Sequence, residues 1–395
     1  MIKHFPGEKE GIIGLFEDIK GLGRDIRKYS EAGGKVDMSR FPQDFPVLFK
    51  TYSKTWGGFL DPWIKDPKLK GIISALWGYF GLPPSKLSCF YYAIPLMGYL
   101  SEGGYYPKGR SQAISQAFVK IIKAKGGQVE LSTPVEKILV KDGAAYGVVT
   151  GKGRKITGRV IVSNANAHDT FYSLVEDRTA LKDYLARLEK YSISLSSFQV
   201  FLGLKKDLVK SVGLKDSEVF FEPGYDPEAG YAHALAADVE NGGVGLTVYD
   251  NIYEGYSPKG KNTLNLLVLQ GYDHWKKYEE DYRKGNKAEY KKEKERMADI
   301  LIEKAEKALL PGLREAIEVK EIGTPLTNWR YTRNYRGAIY GWDQTLDNSG
   351  PSRLPHKTPI KNLFLSGAWT SPGHGYGAVI PSGLECFAAI MKEWA

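Results

Sequence analysis

Apolar residues recur with a helical period in the N-terminal quarter of the chain, and with a period of two in its middle. Ile12, Ile13, Leu15, Phe16, Ile19, Leu22 and Ile26 trace one face of a helix, which Gly21 and Gly23 are expected to break. The tract 71–100, GIISALWGYFGLPPSKLSCFYYAIPLMGYL, is the most apolar of the chain. Pro83, Pro84 and Lys86 divide it, and neither half reaches the roughly 20 apolar residues that a spanning helix needs. It reads as a buried helix pair, or else as a hydrophobic surface that meets a membrane or a lipid-like substrate.

From residue 101 the pattern changes. Ser101 to Arg110 is a glycine-rich loop, followed by a helix over about 111–125 with Ile114, Ala117, Phe118, Ile121 and Ile122 on one face. Gly126-Gly127 ends it. Strands are expected at 128–131, 135–140 and 147–150, with Asp142-Gly143 as a hairpin turn, and at 159–163. A helix through 178–190 precedes β-rich stretches at 193–204, 217–222, 244–249 and 263–270. A long charged helix at 274–309, a strand at 362–366, a glycine loop at 373–377 and a helix from about 381 complete the reading. The class is mixed α/β, of the α+β kind, with a substrate-type domain of antiparallel sheet and helices interleaved in sequence.

Composition narrows the function. The 395 residues carry 55 Lys+Arg against 46 Asp+Glu, a net +9, but the lysines of 286–295 alternate with acids, as on a solvated helix face rather than a nucleic-acid stripe. Two cysteines, Cys89 and Cys386, make no disulfide framework, and the six histidines show no zinc-hydrolase spacing. No basic-apolar-small leader opens the chain, which reads as cytoplasmic with peripheral membrane contact through 71–100.

Two glycine motifs invite a phosphate. Gly104 to Ser111 fits G-x-x-x-x-G-[K/R]-S, but Arg110 stands where a triphosphate loop needs lysine and no strand precedes it. It offers backbone N–H groups and Arg110 to an anion at most. Gly373-His-Gly-Tyr-Gly-Ala378 fits G-x-G-x-x-A, yet too little chain follows for the βαβ unit of a dinucleotide fold. Placed between the strand 363–365 and a helix, it suits the close approach of a flat, electron-rich ring.

Three stretches taken in order resemble the phytoene desaturase, carotenoid isomerase and retinol saturase group of FAD-dependent, amine-oxidase-like enzymes. They are GGYYPKGRSQAI with GGQVELSTPVEKI, then VIVSNANAHD, then TPLTNWRYTRNYRGAIYGWDQT with NLFLSGAWTSPGHGYGAVIPSGLE. The resemblance implies FAD as cofactor, with the Val135 backbone at its adenine part, Asn164 as a cofactor-binding residue on the strand that returns to the same sheet, and Gly367, Ala368, Gly373, Gly375, Gly377, Ala378 and Val379 lining the flavin and its phosphates. It implies reaction at C=C bonds of a polyene or isoprenoid; His374 and Tyr376 are the polar side chains placed to face the reacting bond, or else to make structural hydrogen bonds. Trp329, Tyr331, Tyr335 and Trp342 either line the same cavity or pack in the core, the commoner fate of such aromatics. It divides the chain into 1–100, a helical, aromatic part of the substrate domain; 101–170, an FAD-domain segment; 171–325, the substrate-domain sheet and helices; and 326–395, the flavin-facing segment.

One departure is large. The group begins with a strand, G-x-G-x-x-G, a helix and a ribose-binding acid, and no such unit stands near Met1-Ile-Lys-His-Phe-Pro. The expectation is the C-terminal part of a split or truncated enzyme that binds FAD weakly or not at all by itself. Its partners would be an apolar substrate and a separately encoded N-terminal FAD-binding half. The alternative is a non-catalytic isoprenoid-binding or regulatory subunit.

Overall fold

The protein is described here by a computed structural model covering residues 1–32 and 36–394. It divides into two compact units, each assembled from separate stretches of chain. One comprises Met1–Ile94, Tyr191–Arg353 and Gly373–Gly375; the other comprises Pro95–Lys190, Leu354–Pro372 and Tyr376–Ala395. The ten strands of the described residues are β1 (Val135–Lys141), β2 (Ala144–Thr150), β3 (Lys155–Thr157), β4 (Ile161–Ser163), β5 (Ser196–Leu204), β6 (Glu218–Phe221), β7 (Val244–Val248), β8 (Asn262–Gln270), β9 (Ile317–Gly323) and β10 (Leu363–Leu365).

The first unit is built on a five-stranded antiparallel sheet of order β6-β7-β8-β5-β9. Alternate residues divide its two faces. Val200, Leu202, Leu246, Leu264 and Leu266 point to one side, where they bury against Trp275, Met297 and Leu301 of two helices, Asp273–Lys284 and Ala288–Ala308. The expected single helix at 274–309 is therefore two, because Gly285 takes a left-handed conformation (φ +87) and stops the first. On the opposite face, Leu267 and Leu269 pack with Trp77, Tyr231, Ala234 and Tyr340.

The N-terminal helix, Lys9–Glu31, runs through Gly21 and Gly23 without a break. Ile12, Leu15, Ile19 and Leu22 are buried. Its glycines serve close packing: a β-carbon on Gly14 would fall 2.0 Å from the Trp63 ring, and one on Gly21 would fall 2.8 Å from Val47. Within 71–100, Trp77, Phe80, Leu82, Leu87 and Tyr92 are core residues, while Tyr99 and Leu100 are exposed. No helix among the described residues is long and apolar enough to cross a membrane.

In the second unit, β1 and β2 form the expected hairpin, with Asp142 and Gly143 both at positive φ, and β3 extends it. β4 and β10 pair in parallel as a two-stranded sheet. The expected strand at 128–131 is not formed; Leu131 is solvent-exposed and no strand pairs with this stretch. The last helix is Tyr376–Trp394 and begins five residues before the expected start, with Pro381 inside its first turns. Ile380, Leu384, Phe387 and Met391 lie exposed along it at helical spacing. The helix Gln112–Ala124 buries no residue and exposes Phe118, Ile121 and Ile122.

Candidate functional site

In the second unit, the chain leaves β10 through Ser366-Gly367-Ala368 beside the end of β4. Asn164 holds the two ends together, its Nδ2 donating to the Ser366 carbonyl at 2.9 Å. Gly367 (φ +100) is required there, since a β-carbon would fall 2.2 Å from Asn164 Nδ2. The Gly367 N–H donates to Ser382 Oγ at 2.8 Å, and that hydroxyl donates to the Ser371 carbonyl at 2.8 Å. Gly377, Ala378 and Val379 occupy the first turn of the last helix, and Tyr376 at its start is exposed. A β-carbon on Gly377 would meet nothing within 4 Å. Val135 opens β1, paired with Thr150 and half-open to solvent.

In the first unit, Gly373 adopts φ +139 against a buried polar cluster. Arg353 is 2% exposed, and its Nη1 donates to the carbonyls of Trp342, Asp343 and Asn348 and, at 3.0 Å, to Gln344 Oε1. That bond commits the Gln344 oxygen. It leaves Nε2, which has no hydrogen-bond partner, turned to Gly373, where a β-carbon would lie 2.5 Å away.

The His374 ring lies 4.6 Å from the Tyr340 ring and 6.2 Å from that of Phe80, and its Nε2 is buried without a partner. Burial, then the nearby charge of Arg353, pushes its pKa down to about 3. His374 is thus a neutral imidazole at physiological pH, able to make a hydrogen bond but not to act as an imidazolium acid. Tyr340 donates to the Gly78 carbonyl at 2.6 Å.

Tyr340 also walls a cavity of about 150 Å³ on the open face of the sheet, together with Trp77, Leu267 and Leu269. Trp329, Tyr331, Tyr335 and Trp342 are not among the residues that line this cavity. Tyr331 is exposed, Trp329 packs against the opposite core with Arg283 over its ring, Trp342 is buried against Tyr191, and Tyr335 is not among the lining residues. Gln344, Arg353 and Tyr340 escaped the sequence reading; the run GAIYGWDQT marked the segment but not which side chains turn inward.

Residues 60–390 match the family model described as flavin containing amine oxidoreductase. The chain belongs to this family. Among curated proteins it is similar to the all-trans-retinol 13,14-reductase of Danio rerio, 26% identical over 83% of this chain and 56% of the reductase. It is similar also to the chloroplastic prolycopene isomerase of Daucus carota, 26% identical over 98% of this chain and 62% of the isomerase. The chain therefore spans less than two thirds of the length of these relatives. Two solved structures share the fold. Cyclohexylamine oxidase from Brevibacterium oxydans gives a TM-score of 0.55 at 16% identity, over 98% of this chain and 75% of that one. An oxidoreductase from Methanosarcina mazei gives 0.56 at 16% identity, over 90% and 75% respectively.

The family implies a flavin, and the buried groups suit one. The Gln344 amide and His374 Nε2 are polar atoms without partners, and a flat ring carrying nitrogen and carbonyl acceptors would satisfy them. A β-carbon on Gly375 would meet nothing within 4 Å, which leaves room for close approach to the backbone. Among the described residues the first strand is β1.

Proposed function

We propose that this chain is the substrate-binding and flavin-facing part of an FAD-dependent oxidoreductase acting on C=C bonds of a polyene or isoprenoid. The observation that carries the reading is Tyr340, which walls an apolar cavity and packs against His374 beside the unpartnered Gln344 amide. Retinol and prolycopene, after which the two relatives are named, are both polyenes. FAD, when bound, supplies the hydride chemistry, which explains why no acid–base pair is needed.

The protein's own residues position and exclude. Gly367, Ala368, Gly373, Gly375, Gly377, Ala378 and Val379 keep bulky side chains from the flavin, and Val135 and Asn164 serve the adenine side. His374 and Gln344 hold its polar edge, while Tyr376 faces the reacting bond. A second polypeptide carrying the strand, glycine loop and helix supplies the pyrophosphate cradle, and the apolar rows on Gln112–Ala124 and Tyr376–Trp394 receive it. Exposed Tyr99 and Leu100 give peripheral membrane contact.

The test is anaerobic incubation of the chain with FAD, dithionite and all-trans-retinol or a lycopene isomer, with and without co-expressed G-x-G-x-x-G partner. A change in polyene absorbance that needs all components supports the reading. Polyene binding with no double-bond change under any condition makes the chain a binding subunit. No polyene binding overturns it.

A further inference from the structure

The cavity walled by Tyr340 is apolar on most sides and polar on one. Trp77, Leu267, Leu269 and Tyr340 line it together with His233, Asp238 and Glu222. At about 150 Å³ it is the size of a void that holds a single six-carbon ring, so it takes one end of an isoprenoid rather than a whole polyene. Resting on the isoprenoid reading above, we propose that this cavity selects the hydroxyl-bearing end of an isoprenoid alcohol, with His233 accepting a hydrogen bond from the hydroxyl.

The polar wall is preset for that task. His233 Nδ1 lies 2.9 Å from Asp238 Oδ2. Asp238 also accepts from the backbone and side-chain N–H groups of Asn241. Burial pushes the Asp238 carboxyl up, but the Asn241 and His233 hydrogen bonds together hold it below its ordinary value. In the tautomer that donates from Nδ1 to this carboxylate, Nε2 is the ring's acceptor. The neighbouring acids Glu218, Glu222 and Asp238 disfavour a carboxylate ligand by repulsion. A hydrocarbon end would fill the apolar part but leave the wall's polar atoms without a partner.

The pair farnesol and farnesene separates the hydroxyl from the hydrocarbon skeleton, with farnesoic acid as the charged analogue. Binding to the full chain is read by quenching of tryptophan fluorescence, with no flavin required. Farnesol should bind at least about tenfold more tightly than farnesene or the acid, the scale of one buried hydrogen bond. His233→Phe should erase the preference and leave farnesene binding as it was. His233→Gln, which keeps an acceptor, should retain part of it, and thermal melts establish that both variants fold. Gly78→Leu should weaken all three ligands, since a β-carbon there meets nothing within 4 Å and the side chain can fill the cavity.

Equal binding of farnesol and farnesene, or a preference untouched in His233→Phe, overturns the alcohol assignment while leaving the isoprenoid reading in place. Tight binding of the acid overturns it too. Binding of none of the three overturns both.

Discussion

Gly373 and Gln344 stand so close that a β-carbon on the glycine would lie 2.5 Å from the amide nitrogen of the glutamine. The glutamine cannot swing clear, because it is fully buried and its oxygen accepts from Arg353. The glycine also sits at φ +139, which an L-residue rarely adopts. Close approach and backbone geometry thus make the same demand at one position.

Gly373→Ala should therefore destabilise the protein by about 1–3 kcal/mol, the range for a strained backbone position. Adding Gln344→Ala relieves the clash but not the backbone strain, so the double variant should recover only part of the loss. Thermal melts of the two variants and the Gln344→Ala control check this; full recovery would mean that the backbone is not strained.

Acid should act through His374. Burial and the charge of Arg353 push its pKa from 6.5 down to about 3, so the unfolded chain binds its proton first as the pH falls. The stability it contributes is complete above about pH 6.5 and is lost progressively down to about pH 3. At roughly 1.4 kcal/mol per unit, the loss by pH 4 is on the order of 3 kcal/mol. His374→Gln removes the titration, so its melting temperature should fall less than that of the native protein between pH 7 and pH 4. Parallel profiles would mean that the ring stays solvated.

Gly377 separates space from backbone strain, since its β-carbon would meet nothing within 4 Å and it lies in a helical turn. Gly377→Leu should leave the melting temperature unchanged or slightly raised, because leucine favours helix over glycine. In the chain supplemented with the G-x-G-x-x-G partner, the same variant should weaken flavin binding at least tenfold, read by quenching of flavin fluorescence. Native flavin affinity would place the ring elsewhere.

How far these features could be read in the sequence depends on the range of the interaction behind them. The β1–β2 hairpin was legible because Asp142-Gly143 sets its turn through local backbone preference. β9 was not. Its residues, IEVKEIG, alternate charged and apolar side chains as an edge strand can, and only pairing with distant β5 makes it a strand. Gly21 reads locally as a helix breaker, yet it serves the approach of Val47 from another helix. The glycine loop at 373–377 was visible as a motif, whereas the buried Arg353 and Gln344 behind it depend on tertiary packing that no periodicity reports.

Trp77 and Phe80 belong to the buried part of the apolar tract. They are 7% and 8% exposed, and Phe80 packs against Tyr92 and His374. Replacing either by serine should cost roughly 3–5 kcal/mol, as for other large buried aromatics cut to a small residue. Tyr99 and Leu100 are the most exposed apolar residues of the tract. Their replacement by serine should reduce liposome co-sedimentation without lowering the melting temperature. Unchanged co-sedimentation in that variant removes this end of the tract from membrane contact.

The last helix carries the row on which the proposed polypeptide would dock. Ile380, Leu384, Phe387 and Met391 recur at intervals of four, three and four residues, the spacing of a packing stripe, yet all four are exposed. Leu384 and Phe387 are 71% and 60% exposed, so they contribute little to the fold of the chain itself. Replacing both by glutamate should change stability by no more than about 0.5 kcal/mol, as for surface substitutions. Association should respond differently, because two charges buried at an apolar interface cost far more than at the surface. The native chain should retain a co-expressed G-x-G-x-x-G polypeptide through purification, and Leu384→Glu/Phe387→Glu should lose it. A large drop in melting temperature would show instead that the stripe is already packed within the chain. Retention of the polypeptide by the variant would move the docking surface elsewhere, with the helix Gln112–Ala124 and its exposed Phe118 and Ile121 next in line.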